Sequence, residues 1–247
     1  MKKTAVICLL AATLVSIPAF TEEAPEAEAP EPLWTGNAAL SYVSTSGNTD
    51  TTSFGLDFSF VRRPTPWGLE VFGLFNRAED ASELTAQRSL LGTRATRSFS
   101  DRWSLFGGLS GEKDEFAGFD LRTLLETGAT YKAIDDGKFF LSFDAGLTYT
   151  DESRIEPEPD TSFMGGLAAA HFGWTISETA KLTEDLVYYP NFDDSTDWRL
   201  TSITALEAAL TDLFGLRLSY EYRFRNEPIG DNDDTDTTTK ASLVAKF

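Results

Sequence analysis

The sequence predicts an all-β protein: a transmembrane, antiparallel, up-and-down β-barrel of about twelve strands. Three observations predict this fold. A strand-like alternation of apolar and polar residues repeats along residues 34–247, the connections alternate between short and long, and the last strand ends on an aromatic residue. Alternation with a period of two gives a strand two different faces. In residues 54–60, for example, every second residue is phenylalanine or leucine.

The alternating pattern divides residues 34–247 into twelve segments. Each is about as long as, or longer than, the roughly 9–11 residues that a tilted strand needs to cross a bilayer. An even number of strands is typical of bacterial outer-membrane barrels. The predicted segments are 34–43, 51–62, 67–77, 84–98, 103–112, 119–132, 138–150, 163–174, 179–189, 199–210, 214–225 and 237–247.

The connections between the segments favour a membrane barrel over a soluble sandwich. Those after the even segments are brief: RPTP, FSDR, AIDDG, TISE and TDLF. Those after the odd segments are mostly longer and more acidic: STSGNTD, RAEDASE, EKDEFAG, DESRIEPEPDTS, PNFDDSTDW and NEPIGDNDDTD. This sorting is typical of short periplasmic turns and longer exterior loops. Gly47 and Asn48, which tolerate positive φ, are therefore expected to form the first exterior turn.

The N-terminal residues predict export. Residues 1–19 have a basic start, a short apolar run and small residues at the exit, which is the pattern of a secretory signal peptide. Residues 20–33 are rich in Glu, Ala and Pro and predict a disordered, acidic periplasmic spacer. Residues 34–247 are then the barrel, and the expected location is the cell outer membrane.

The charged residues argue against nucleic acid as a partner and predict a lumen with nearly balanced charge. A formal net charge of −18 argues against nucleic acid, because phosphate binding needs clustered Lys and Arg. The rows opposite the apolar ones contain seven acids and eight bases, so we expect nearly neutral ion pairing between strands rather than strong ion selectivity. These predicted lumen-facing residues are Asp57, Glu70, Arg88, Arg94, Arg122, Glu126, Asp144, Lys181, Asp185, Glu207, Arg217, Glu221, Arg223, Lys240 and Lys246.

Catalytic and metal-binding motifs are sparse. The single histidine, His171, is the available general base, and the pattern places it, like Glu184, on the lipid-facing row. Segments eight and ten have an ambiguous phase. The acidic run Asp231, Asp233, Asp234 and Asp236 is a candidate for cations, but Asp236 stands where a helix–loop–helix calcium site needs glycine. We therefore expect no catalytic residue, no cofactor and no dedicated metal site.

Aromatic residues mark the ends of the segments and of the chain. Leu243, Ala245 and Phe247 share one face, and this ending resembles the C-terminal signal that the outer-membrane assembly machinery reads. Outer-membrane lipid and lipopolysaccharide are the other expected partners. The residues expected to form interfacial girdles are Trp34, Trp67, Trp103, Tyr149, Trp174, Tyr188 and Trp198.

Several stretches resemble a known family. They are SGNTD, EKDEFAGFDLRTLLETGATY, SYEYRFRNEP and the terminal phenylalanine. Residues 34–247 resemble the YdiY-like salt-induced outer-membrane proteins, the family called domain of unknown function 481. The family more often has glycine where this chain has Thr130. The resemblance implies an outer-membrane barrel of undefined activity and supplies no catalytic residues. The most specific matches are Asp114, Phe116, Asp120 and Arg122.

Three functions are compatible with the sequence. The first is a non-enzymatic barrel, either a narrow channel or an envelope protein linked to salt or osmotic conditions. The second is a protein that uses its exterior loops to bind divalent cations, lipopolysaccharide or a surface partner. The third, a barrel hydrolase, depends on His171. The sequence leaves open the solute, the pore radius and the oligomeric state.

Overall fold

The structure is a computed structural model that describes residues 33–63, except 46–50, and residues 66–247. The predicted signal peptide, nearly all of the predicted spacer and the predicted turn at Gly47 and Asn48 lie outside the described residues. No helix among the described residues is long and apolar enough to cross a membrane.

The described chain forms twelve strands of 11 to 17 residues and one short 3-10 turn, Glu115–Ala117. All twelve predicted segments are confirmed as strands. They are β1 (Trp34–Thr45), β2 (Thr51–Arg62), β3 (Trp67–Asp80), β4 (Glu83–Ser98), β5 (Trp103–Asp114), β6 (Phe119–Asp135), β7 (Phe139–Arg154), β8 (Thr161–Ser177), β9 (Ala180–Pro190), β10 (Trp198–Ala209), β11 (Phe214–Arg225) and β12 (Thr235–Lys246).

The strands pair with their neighbours in the chain and close into a barrel through β1 and β12. Every pairing is antiparallel, which confirms the predicted up-and-down barrel. The closing pair is the shortest, with register partners from Asn37–Lys246 to Leu40–Leu243. Hydrogen bonds between the backbones of Gly36 and Phe247 extend it by one residue pair.

The outer rows of the strands are apolar and exposed, so the barrel faces lipid rather than water. Phe54, Leu56 and Phe60 are each about 40% exposed, and Leu91 is 60% exposed. A water-soluble protein does not leave such continuous apolar rows uncovered. In a barrel that spans a bilayer, these rows contact acyl chains while the alternate residues line the interior.

Aromatic residues group at both ends of the outer surface. At the end that carries the chain termini of the barrel, which is the periplasmic end, the rings of Trp103 and Tyr131 lie 4.8 Å apart. At the exterior end, Trp198 lies 5.7 Å from Tyr188 and 4.9 Å from Phe224. These groups form the interfacial aromatic belts typical of transmembrane barrels.

The exterior ends of several strands extend further than their sequence pattern indicated. The acidic stretch between β3 and β4 was predicted as a loop, but these strands stay paired as far as Asp80 and Glu83. The connection is the two-residue turn Ala81–Ser82, with φ values of 48° and 68°. Positive φ at both central residues is the geometry of a tight hairpin whose twist matches its strands.

Candidate functional site

The inner rows of the strands enclose a cavity of about 540 Å³. Its lining combines apolar residues with charges of both signs. The carboxylates come from β3, β5, β6, β7 and β12 and from the β11–β12 connection. The bases come from β4, β6, β8, β10 and β11. The arginines of the lining are Arg88, Arg94, Arg122, Arg199, Arg223 and Arg225.

Ion pairs cross the lumen near its exterior mouth. Arg88 of β4 contacts Glu112 on the adjacent strand β5 at 2.6 Å and Glu221 of β11 at 2.7 Å. Strands β4 and β11 are not neighbours in the barrel, so the second contact joins opposite walls. The side chains of all three residues are at least 85% buried.

Two arginines of β11 make further contacts to strands that are not their neighbours in the barrel. Arg223 lies 3.0 Å from Asp114 of β5, and Arg225 lies 3.0 Å from Glu152 of β7. Glu152 also accepts hydrogen bonds from Arg122 at 2.7 Å and from Arg154 at 3.1 Å. Its carboxylate is therefore fully buried but surrounded by three guanidinium groups, which satisfies its charge.

The connection between β11 and β12 also covers the mouth. Within residues 226–234, Ile229 is 4% exposed, although it lies in an exterior connection. It packs against Gly118, in the β5–β6 connection on the opposite side of the barrel. Gly118 has a φ of +88°, and a Cβ atom there would lie 2.8 Å from the Cβ of Ile229. The exterior mouth is thus closed by side chains from both walls and by the β11–β12 loop.

The middle of the lumen contains a second group of charges. Arg94 of β4 contacts Asp144 of β7 and lies 3.6 Å from Glu126 of β6. The imidazole of His171 lies between two acids, with Nδ1 2.7 Å from Asp185 and Nε2 3.5 Å from Asp144. Both ring nitrogens therefore face carboxylate groups.

The predicted position of His171 on the lipid-facing row is wrong. His171 lies in register with Asp185 of β9 and Ser142 of β7 and lines the lumen cavity. Residues 165–173 consist largely of glycine and alanine, so this strand offered little apolar alternation from which to read a phase. Glu184 does lie in the opposite row, as predicted. Its carboxylate accepts a hydrogen bond from Ser202 Oγ at 2.6 Å and another from Thr204 Oγ1.

A third group of charges lies beside the barrel closure, between the middle of the lumen and its periplasmic end. Lys240 of β12 contacts both carboxylate oxygens of Asp57 of β2, at 2.7 and 2.8 Å, and so reaches past the intervening strand β1. Glu207 of β10 contacts Arg217 at 2.7 Å and Lys246 at 2.6 Å. The contact between Lys240 and Asp57 joins strands on the two sides of the barrel closure, whereas the contacts of Glu207 join strands on one side of it.

Among the described residues, thirteen of the fifteen charged residues predicted to face the lumen take part in ion pairs. Of the other two, Glu70 accepts a hydrogen bond from Ser59 at 2.9 Å, and Lys181 lies in register with Glu207. The inward charges that the sequence reading missed are Glu112, Asp114, Glu152, Arg154, Asp197, Arg199 and Arg225. Glu112, Arg199 and Arg225 lie within predicted segments. Continuing the alternation two residues past the predicted ends at 112 and 150 would have found Asp114 and Glu152.

The acidic run in the β11–β12 connection does not form a cluster of ligands. Asp236 lies in β12 and contacts Arg223 at 3.2 Å, while Asp231, Asp233 and Asp234 are exposed. In the part of the chain that the structure describes, no three His, Cys, Asp or Glu side chains converge as metal ligands would.

Two turn residues outside the membrane-spanning strands have lowered pKa values. Asp136, in the periplasmic β6–β7 turn, accepts hydrogen bonds from the backbone of Phe139 and Lys138, which lower its pKa. Asp194, in the exterior β9–β10 connection, accepts hydrogen bonds from the side chain and backbone of Thr196, which lower its pKa. Both aspartates therefore stay negatively charged in neutral solution.

The C-terminal residues lie on the outer surface. Leu243 and Phe247 are 48% and 59% exposed, and the ring of Phe247 lies 5.4 Å from that of Phe60. The aromatic residue that follows β12 thus lies at the periplasmic edge of the apolar band.

A closed, twelve-stranded barrel with an apolar exterior and a charged lumen defines a transmembrane barrel of the outer-membrane type. Residues 38–247 match the family described as protein of unknown function, DUF481, and the chain belongs to that family. The expected resemblance is therefore confirmed.

One relative and one solved structure illustrate the similarity. The chain is 25% identical over 227 residues to the uncharacterized protein YdiY of Escherichia coli strain K12, covering 91% of this chain and 87% of YdiY. It also resembles the COG4313 outer membrane channel from Pseudomonas putida F1, with a TM-score of 0.53 and 13% identity. That similarity covers 90% of this chain and 100% of the channel, and it concerns the fold.

Proposed function

We propose that this protein is a non-enzymatic barrel of the bacterial outer membrane that acts as a narrow channel for small solutes. The observation that carries the proposal is the charged cavity of about 540 Å³ beneath a mouth closed by ion pairs and a loop. A barrel of this size has an interior between the filled small barrels and the wide porins. Export through the N-terminal signal and insertion into the outer membrane belong to the same proposal.

The closure at the mouth is made of elements that can separate. The ion pairs between β4 and β11 and between β5 and β11 join side chains, not backbones, so they can break while the barrel wall stays paired. Residues 226–234 form a connection rather than a strand. Opening therefore requires rotation of a few side chains and displacement of one loop, not rearrangement of the sheet.

The surroundings of His171 support a role without catalysis. A histidine that acts as a general base needs one ring nitrogen directed at the group that it deprotonates. In this barrel one ring nitrogen lies 2.7 Å from the carboxylate of Asp185, and the other faces Asp144. His171 therefore supports the charge balance of the lumen, and a hydrolase is the least favoured function.

Conductance of the refolded barrel in a planar lipid bilayer tests the proposal. The double variant Arg88→Gln/Glu221→Gln removes the central contact across the lumen while keeping side-chain size. We expect more frequent or larger conductance steps than in the wild type. The control is Arg77→Gln/Glu79→Gln, which removes an exposed ion pair near the exterior end of β3. If neither the wild type nor the double variant conducts at any salt concentration, the proposed channel function is refuted.

The proposed link to salt follows from the same contacts. Ion pairs weaken as dissolved ions screen them, although buried pairs are screened less than exposed ones. We therefore expect conductance to rise with salt concentration more steeply than the conductivity of the solution. A conductance that rises in strict proportion to the conductivity of the solution would show that the channel does not respond to ionic strength.

A second candidate function concerns the exterior surface. The described exterior connections 115–118, 155–160, 191–197 and 226–234 contain acids but no Lys or Arg. Such a surface attracts divalent cations, which in turn bridge to the phosphates of lipopolysaccharide. Replacement of Asp231, Asp233 and Asp234 by Asn should weaken Mg²⁺-dependent binding to lipopolysaccharide vesicles. Unchanged binding would remove this candidate and leave the channel.

A further inference from the structure

Arg199 differs from the other arginines of the cavity in its contacts. Arg88, Arg94, Arg122, Arg223 and Arg225 each lie within 4.0 Å of a carboxylate oxygen. Among the described residues, no carboxylate oxygen lies that close to the guanidinium of Arg199. This group instead lies over the ring of Tyr189, 5.2 Å from the ring centroid, and lines the cavity at the exterior end of β10.

The wall around Arg199 already has more bases than acids. Arg122 and Arg225 lie close enough to Arg199 to repel it, and Glu152, although beyond ion-pair distance, lies close enough to attract it. Both of them share the carboxylate of Glu152 with Arg154. The exterior ends of β6, β7, β10 and β11 and the β9–β10 connection thus bring four bases together with two acids. These residues are Arg122, Arg154, Arg199 and Arg225, with Glu152 and Asp197.

An unpaired guanidinium in such a cavity is suited to binding an anion. A partly buried charge without a partner is unfavourable, and a bound anion would supply that partner. The planar fork of arginine matches the two oxygens of a carboxylate or a phosphate. The guanidinium of Arg199 lies over the ring of Tyr189, and both residues line the cavity, so a bound anion could reach this group from the lumen.

We propose that Arg199, positioned by Tyr189, forms a binding site for a small oxyanion, a carboxylate or phosphate group carried by a solute. This site extends the proposed channel function, because it specifies the class of solute that would bind in the lumen. Binding at Arg199 does not itself require that the channel conducts, so the two proposals can be tested separately.

Titration calorimetry on the full barrel, refolded in detergent, tests the site with inorganic phosphate and with acetate. The ionic strength is held constant with chloride, because the acidic exterior connections repel anions over a distance that depends on salt. We expect the wild type to bind phosphate, acetate or both more tightly than chloride. Arg199→Gln should weaken that binding about tenfold or more, since a charge-assisted bidentate contact is lost.

Arg102→Gln is the matched control. Arg102 lies exposed in the periplasmic turn 99–102, and its substitution removes the same charge without touching the cavity. Arg199→Lys keeps the charge but loses the fork, so its affinity should fall below that of the wild type. This variant also decides the matter if Arg199→Gln does not assemble. Heat-modifiable gel migration identifies the variants that form closed barrels.

Two results would overturn the site: equal affinities of wild type, Arg199→Gln and Arg199→Lys, or no preference of the wild type for either oxyanion over chloride. Binding of phosphate alone would support the site and narrow its ligand to phosphate groups; binding of acetate would extend it to carboxylates. If the barrel does not conduct in bilayers but binds phosphate through Arg199, the proposed site is supported and the proposed channel is refuted. If the barrel conducts but binds neither oxyanion, the proposed channel is supported and the proposed site is refuted.

Discussion

Arg88 and Glu221 are separated by 133 residues in the chain, and their side chains meet at 2.7 Å across the lumen. Glu112 contacts the same arginine from the adjacent wall at 2.6 Å. One guanidinium therefore bridges two carboxylates from opposite sides of the barrel, and Arg122 and Arg223 supply further positive charge to Glu112. The stability of the exterior half depends on this charge balance, because each acid is buried beside the base.

Loss of Arg88 should destabilise the barrel strongly. Arg88→Met leaves Glu112 and Glu221 buried with fewer partners, and breaking a buried pair in this way costs about 3–5 kcal/mol. Unfolding by urea in detergent or lipid vesicles measures the change. Arg77→Met, which removes one partner of an exposed pair, should cost about 1 kcal/mol or less. Equal effects of the two substitutions would contradict the importance of burial.

A side chain at Gly118 should displace the loop that covers the mouth. The Cβ of Gly118→Ala would lie 2.8 Å from Ile229, and the φ of +88° is unfavourable for alanine. We expect faster cleavage before Asp231, which is exposed in this loop, by a protease that cuts on the N-terminal side of aspartate, and higher conductance in bilayers. Gly137→Ala is the matched control, because its φ of +81° is similar but no atom lies within 4 Å of the added Cβ. Loop cleavage unchanged in Gly118→Ala would contradict this packing.

Substitution of Glu184 should reveal its position on the lipid-facing surface. Glu184→Gln keeps an oxygen that accepts the hydrogen bonds of Ser202 and Thr204, so its effect should stay within about 1 kcal/mol. Glu184→Lys places a cation toward the acyl chains and should cost about 2–4 kcal/mol near the bilayer midplane. Unfolding in lipid vesicles distinguishes the two. A harmless lysine would indicate that this row does not contact lipid.

Removal of Phe247 should impair barrel assembly. The backbone of Phe247 bonds to Gly36 in the closing pair of strands, and its ring packs beside Phe60. We expect a chain that ends at Lys246 to yield less heat-modifiable protein in the outer-membrane fraction. Substitution of Phe247 by tyrosine, which keeps an aromatic ring, should restore assembly. Normal yield of the shortened chain would show that this residue is not a signal for the assembly machinery.

The strands and their outward rows follow directly from the sequence, because a period of two is a local property. Phe54, Leu56 and Phe60 are readable in this way without any knowledge of the other strands. The contacts across the lumen are not. Arg88 meets Glu221 because of the order and stagger of strands that are far apart in the chain, and no local pattern encodes this.

The exterior ends of the strands were harder to predict for a related reason. Glu112, Asp114 and Glu152 look like loop residues, because acids are common in loops and rare in apolar strands. In the barrel they point inward, where arginines from other strands neutralise them. The unpaired state of Arg199 is still further from the sequence, since it depends on how these arginines share the available carboxylates.

The short closing pair between β1 and β12 has a mechanical consequence. Neighbouring strands elsewhere share longer ladders, whereas here the register partners run only from Asn37–Lys246 to Leu40–Leu243. The β1–β12 pair should therefore separate before the other strand pairs when the barrel is destabilised. The backbone amides of this pair should exchange with deuterium earliest. The ion pair between Lys240 of β12 and Asp57 of β2 spans this closing pair on the lumen side and stabilises the closed barrel.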